Sequence, residues 1–226
     1  MHIEPHVVTG AKLLLSYGTA LTVFAYAAKQ SWDHIKLQGA ASLLMKSLIS
    51  TLLVFSFFEI LPHHSVGISE VHFILGSTLF LLFGIPAAAI GLAAGLLIQG
   101  VFLAPFDLPQ FGMNLTTLLV PLFVMAWAAK KIIPADQAYK DVSYAQAVKL
   151  SVMYQGGIIA WVAFWAVFGQ GFETQNLISV ASFCAAYSLV IVVEPLVDLA
   201  LLAIAKNIHG LQRSSVFTRR LYSAAV

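Results

Sequence analysis

The first two residues of the chain carry three nitrogen donors that can chelate one divalent metal ion. They are the terminal amine of Met1, the backbone amide of His2 and a ring nitrogen of His2. A bulky second residue normally protects the initial methionine from removal, so the free amine is expected to be that of Met1. Nitrogen ligands in one plane favour Ni(II) or Cu(II), and imidazole also suits cobalt and zinc. A chance Met-His start explains the same two residues, so the motif needs a further ligand and a scaffold that brings the ligands together.

The rest of the chain has the composition of a membrane protein. Hydrophobic residues make up 60% of it and charged residues 10%, and the mean hydropathy is +0.88. Ordinary globular chains carry about 25% charged residues. Transmembrane helices need roughly 20 mostly apolar residues. The pattern predicts an all-α integral membrane protein, a single domain over residues 1–226, with seven transmembrane helices: 9–29, 42–62, 72–84, 86–104, 114–129, 146–168 and 177–205.

The distribution of basic residues predicts the orientation of these helices. When the seven segments are threaded alternately, eleven of the twelve Lys and Arg residues fall on one face and Lys12 falls on the other. Cytoplasmic loops collect Lys and Arg. We therefore expect the N-terminus outside and the C-terminus in the cytoplasm, with residues 206–226 as a basic tail that is either solvated or held at an anionic leaflet. The start lacks the features of a removable signal peptide.

This orientation places five of the seven histidines on the outer face. Among them, His72 begins the third segment, at a depth that an inserted N-terminal tail can reach, and together with His2 it would complete a plane of four nitrogens. Two amides, Gln99 and Asn114, lie at the outer ends of the fourth and fifth segments. Such amides either hydrogen-bond between helices or orient ligating imidazoles. The other outer histidines are interpreted as solvated loop residues: His6, His63 and His64.

A set of short motifs along the chain resembles the CbiM/NikM family. These proteins are the substrate-binding membrane subunits of cobalt and nickel transporters of the energy-coupling-factor (ECF) type. The resemblance is close over residues 72–121 and at the first three residues, and elsewhere it rests on the number of helices. The motifs are Met1-His2-Ile3, His72 with Gly76, Gly84 with Pro86, Gln99 with Phe102, and Gly112-Met113-Asn114.

The resemblance implies a metal site and a set of partners. The metal would be held by the amine of Met1, the amide and ring of His2, and the ring of His72 at the start of the third helix. Gln99 and Asn114 would shape the pocket around an inserted, metal-chelating segment, residues 1–8. The cargo would be Co(II) or Ni(II), with no organic cofactor. The family works in the bacterial cytoplasmic membrane with a CbiQ-like coupling subunit, CbiO-like ATPase subunits and often a small accessory membrane subunit.

The chain departs from the family pattern at two places near this site. The sequence Glu4-Pro5-His6 follows the start, where the family has a short turn rich in Pro, Asp and Gly. Glu70 lies two residues before His72, where the family favours small residues. His6 and Glu70 are therefore candidates for an additional ligand or for tuning the choice of metal.

Two carboxylates in the last segment form a second polar feature. Glu194 and Asp198 are four residues apart, so they share a helix face. Carboxylates inside a membrane are costly and often functional. They are expected either to pair with Lys46 or Lys149 or to take part in coupling to a partner subunit. Their depth argues against direct ligation of the outer metal.

Small residues recur on the fourth segment. Gly91 and Gly95 form a Gly-xxx-Gly pair. Small residues at this spacing let two helices approach closely in lipid. Packing inside the bundle is the favoured interpretation over the docking of a partner subunit.

Other function classes find less support in the sequence. A phosphate-binding loop of the GxxxxGK[ST] kind does not occur, so the chain is not expected to be an enzyme and ATP hydrolysis is assigned to partner subunits. The net charge of +2 gives no reason to invoke nucleic acid. A histidine-ligated cofactor or assembly subunit would need histidines deep in facing helices. A vitamin-binding subunit of the same importer class would use the aromatic residues Trp161, Phe164 and Trp165.

Overall fold

The protein is a bundle of seven α-helices with one short β-hairpin. The computed structural model describes residues 3–60, 63–207 and 216–224. About 80% of the chain is helical, which confirms the predicted all-α membrane fold. The helices are α1 Leu13–Gln38, α2 Ala40–Ile60, α3 Gly76–Phe83, α4 Ile85–Phe102, α5 Phe111–Ile132, α6 Tyr144–Gln170 and α7 Thr174–Asn207; the strands are β1 His64–Val66 and β2 Ser69–Val71.

Six of the described helices are long and apolar enough to cross a membrane, and α3 is the exception. Each predicted segment corresponds to one helix, but two boundaries were wrong. Helix α1 continues from the predicted end at residue 29 to Gln38, because a helix can extend in polar residues beyond the apolar stretch. Helix α3 begins at Gly76, not at His72.

The late start of α3 places His72 in a non-helical connection between β2 and the helix. Strand β2 pairs antiparallel with β1 through Ser65 and Glu70, which keeps this part of the chain extended. Leu75 then adopts the left-handed conformation at φ 55° just before the helix begins. Non-glycine residues seldom occupy this region. His72 is therefore held by a hairpin, which the sequence did not predict.

Close packing of α2 against α4 depends on the two glycines of α4. A Cβ atom on Gly91 would lie 2.9 Å from the backbone carbon of Ser50, and one on Gly95 would meet the side chain of Val54. Both contacts are with α2. The favoured interpretation of the Gly-xxx-Gly pair as internal packing is thus confirmed.

Helix α6 packs between α5 and α7. Its side chains Tyr154 and Trp165 are fully buried. Pro195 in α7 cannot donate a backbone hydrogen bond to Ile191, and the hydroxyl of Ser151 on α6 donates to that carbonyl at 3.2 Å. An otherwise free carbonyl inside the bundle is in this way satisfied by a neighbouring helix.

The described part of the C-terminal tail packs against the bundle. The backbone N–H of Thr218 donates to the carbonyl of Leu82 at 2.7 Å, and the ring of Phe217 stacks on Phe83 with centroids 5.8 Å apart. Leu221 is fully buried. Residues 216–224 therefore cover the end of α3 opposite to the one that begins near His72.

Candidate metal site at the N-terminal tail

The N-terminal tail enters the bundle and pairs with the hairpin. Ile3 forms an antiparallel bridge with Ser69, and the N–H of Glu4 donates to the carbonyl of Ile68 at 3.1 Å. Ile3 is fully buried. Because these contacts join backbone to backbone, they fix the tail beside the β1–β2 turn and the first residue of β2 whatever its side chains. Met1 and His2, two of the three predicted metal-binding residues, lie outside the described residues.

Two side chains at the end of the α4–α5 connection and in the first turn of α5 bind the same tail. The Oδ1 atom of Asn114 accepts a hydrogen bond from the N–H of Ile3 at 2.9 Å, and the Nε2 atom of Gln110 donates to the carbonyl of Pro5 at 3.1 Å. Asn114 is 2% exposed. Gln99 is also buried, three residues before the end of α4. Gln110 was not singled out in the sequence, since nothing local marks it as a tail contact.

Helix α6 contacts the N-terminal tail from a third side. A Cβ atom on Gly169 would lie 2.9 Å from the carbonyl carbon of Val7 and closer still to its oxygen. Val7 and Val8 are buried, and Lys12 donates to the carbonyl of Gly169 at 2.8 Å. The glycine is thus required for the close approach of two backbones, and the tail is held between the hairpin, α5 and α6.

His72 is the predicted ligand that the structure describes fully. It is 2% exposed, and neither ring nitrogen has a hydrogen-bond partner among the described residues. Its ring lies beside Phe58, with centroids 4.9 Å apart. A buried imidazole without a partner is costly and calls for an explanation. A neutral imidazole in this setting has a lone pair free to bind a metal.

His63 lies closer to this site than its position in a loop suggested. Its ring centroid is 6.5 Å from that of His72, because the hairpin folds residue 63 back beside residue 72. The side chain of His63 is exposed. The sequence offered no sign of this proximity, since the two residues are nine positions apart in a segment with no periodic pattern.

The two candidates for additional ligands occupy different surroundings. His6 is exposed and lines a cavity of about 660 Å³ together with Gly67 and Glu173. Glu70 is half-buried on β2, where it faces Ser65 across the hairpin pair. Neither residue makes a described contact with His72.

Comparison with known proteins adds an independent observation. The family model for CbiM, the cobalt uptake substrate-specific transmembrane region, matches residues 2–210. The chain belongs to the CbiM family. It is a multi-pass membrane protein of cobalt uptake, in agreement with its six candidate spans. No curated protein and no solved structure shows significant similarity to it.

Two tryptophans of α6 pack inside this CbiM chain, whereas Phe164 on the same helix is 42% exposed. Trp165 is fully buried, and the indole N–H of Trp161 donates to the hydroxyl of Thr116 at 3.0 Å. Phe164 contacts both tryptophan rings. The hydrogen bond of Trp161 and the burial of Trp165 favour packing within the bundle over the vitamin pocket considered from the sequence.

Proposed function

We propose that this CbiM chain is the substrate-specificity subunit of an ATP-driven ECF importer. It binds Co(II) or Ni(II) through the amine of Met1, the amide and ring of His2, and the ring of His72. The observation that carries the proposal is the buried imidazole of His72, unpartnered among the described residues and three positions beyond the tail contact at Ser69.

The geometry of the tail supports a ligand set completed by its first residues. Ile3 is held by both Ser69 and Asn114, so the residue next to the predicted chelating pair is buried at the hairpin that leads to His72. Holding the backbone here lowers the entropy cost of bringing the ligands together. The hairpin and the α4–α5 connection would then enclose the ion.

The chemistry of this ligand set favours a borderline transition metal over a hard cation. Imidazole and amide nitrogens suit Co(II) and Ni(II), whereas oxygen ligands suit Mg(II) and Ca(II). The family supports cobalt as the cargo, and nickel accepts the same donors. Metal binding must displace protons from its nitrogen ligands, so uptake of the ion releases protons.

Transport would need further subunits. The sequence has no phosphate-binding loop, so ATP hydrolysis is assigned to CbiO-like ATPase subunits joined through a CbiQ-like membrane subunit. Co-expression with such subunits and purification through a C-terminal tag on this chain tests that assignment. Recovery of the chain alone, under conditions that preserve the other subunits as a complex, would contradict it.

The metal site is tested by isothermal titration with Co(II) and Ni(II) on protein that carries its tag at the C-terminus. We expect native protein to bind one ion, and we expect both His72→Ala and a version extended by a few residues before Met1 to lose binding. His64→Ala is the matched control, because His64 is an exposed histidine of the same hairpin and its removal should leave binding unchanged. Equal affinity of the native and extended proteins would refute the proposed ligand set.

A further inference from the structure

Two carboxylates of α7 lie fully inside the bundle, against the first turn of α3. Glu194 is 0% and Asp198 is 1% exposed. The hydroxyl oxygen of Ser77 lies 3.1 Å from Oε1 of Glu194 and 2.8 Å from Oδ2 of Asp198. Thr78 donates to the other oxygen of Asp198, and the amide of Gln155 on α6 donates to the other oxygen of Glu194.

The expected ion pair with a lysine is not formed in the described part of the chain. Lys46 is buried but donates to Oε1 of Gln38 at 3.0 Å, and Lys149 is exposed. The groups around the two carboxylates are hydroxyls, one side-chain amide and the backbone of Leu75. Two neighbouring anions in such a setting would meet both the cost of burial and mutual repulsion.

The contacts of Ser77 show how this cost is avoided. A serine hydroxyl has one hydrogen to donate, yet it lies within hydrogen-bond distance of both carboxyl groups. Two ionised carboxylates are both acceptors, so one of the two contacts would bring oxygen against oxygen with no hydrogen between them. One proton on either carboxyl group supplies the missing hydrogen, and every contact of the cluster then has one donor and one acceptor.

We propose that Glu194 and Asp198, bridged by Ser77, form a membrane-embedded proton-binding site that holds a single proton. The proton belongs to the pair and not to one residue, because either carboxyl group can carry it with the same set of contacts. The remaining negative charge lies at the N-terminal end of α3, where the helix dipole favours an anion.

Two buried tyrosine residues interact with this pair electrostatically. Tyr154 of α6 and Tyr187 of α7 are fully buried, and their hydroxyls have no hydrogen-bond partner among the described residues. Both are close enough to Glu194 to interact with it electrostatically, and a Cβ atom on Gly76 would lie 2.7 Å from the hydroxyl of Tyr154. Among the described residues, these two tyrosines and Asp198 are the titratable side chains that interact electrostatically with Glu194.

The proton site is distinct from the candidate metal site and does not depend on it. Ser77 follows His72 by five residues, with the start of α3 between them. Failure of metal binding would leave the carboxyl pair and its contacts as they are. The two proposals can therefore fail separately.

Infrared spectroscopy of the purified wild-type protein at neutral pH tests the proposal. We expect the C=O band of one protonated carboxyl group per chain, and we expect it to shift in D₂O. The double variant Glu194→Gln/Asp198→Asn should lose the band. The control Glu70→Gln should keep it, because the carboxyl group of Glu70 is half-buried on the hairpin, away from the pair. Absence of the band from the wild type would overturn the proposal even if the double variant did not fold. A band that persists in the folded double variant would also overturn the proposal. So would a metal ion that the wild type retains and the folded double variant loses, because the carboxyl pair would then bind a metal cation and not a proton.

Discussion

Replacing Asn114 by leucine should weaken cobalt binding without changing any proposed metal ligand. The Oδ1 atom of Asn114 accepts the N–H of Ile3 at 2.9 Å, and both residues are buried. Leucine would leave that N–H unsatisfied in the docked tail, at a cost of about 1–3 kcal/mol. In the undocked tail the N–H of Ile3 donates to water, so the leucine imposes no such cost there. Since 1.4 kcal/mol corresponds to a factor of ten, the Kd for Co(II) should rise roughly 5- to 140-fold.

Isothermal titration on protein with a free N-terminus measures this change. Asn114→Asp retains an oxygen acceptor and should restore most of the affinity. Thr117→Val is the matched control, because Thr117 lies on the same helix, is equally buried and donates its hydroxyl hydrogen within that helix, to the carbonyl of Met113. The reasoning is refuted if the folded leucine variant binds Co(II) as tightly as the wild type. It is refuted equally if Thr117→Val loses as much affinity.

Three further outcomes follow from the geometry. Gly169→Ala should displace the tail and lower the affinity for Co(II). Gly156→Ala on the same helix, with no described atom within 4 Å of its Cβ position, should leave titration curves unchanged. Equal curves for both variants would count against the close approach of Val7 to Gly169. Gly91→Ala should destabilise the α2–α4 contact by about 1–3 kcal/mol through its clash with Ser50, measured as a lower melting temperature. Gly18→Ala, with no described atom within 4 Å of its Cβ position, should not lower it. Affinity for Co(II) should fall as the pH is lowered, because protons compete with the metal for nitrogen ligands. Titration in buffers of different ionisation enthalpy counts the protons that are released on binding. A count of zero would exclude this ligand set.

The helices were predictable because the bilayer imposes a local requirement. A spanning helix must be mostly apolar over the roughly 20 residues that cross the bilayer, so each can be recognised from its own residues. All seven predicted segments correspond to helices in the structure. The segment around His72 was predicted less well. Its pairing with β1 and the left-handed conformation of Leu75 depend on residues that approach it only in the folded chain.

The candidate site was predictable in part. Met1, His2, His72 and Asn114 were identified by type and by family resemblance, and the structure joins Asn114 to the tail. The contacts made by Gln110 and Gly169 were missed. Both residues lie more than a hundred positions from the tail segment that they contact. A separation of this kind leaves no periodic pattern in a single sequence.

The amino-acid sequence by itself determined that the chain lies in the membrane, how many helices it has and which residue types can bind a metal. Those properties follow from apolar content and side-chain chemistry, which each segment carries alone. Only the tertiary structure decided that the tail is buried against α5 and that Glu194 and Asp198 share the hydroxyl of Ser77 on α3. Hydrogen bonds act over about 3 Å, so which groups form them depends on how the helices pack.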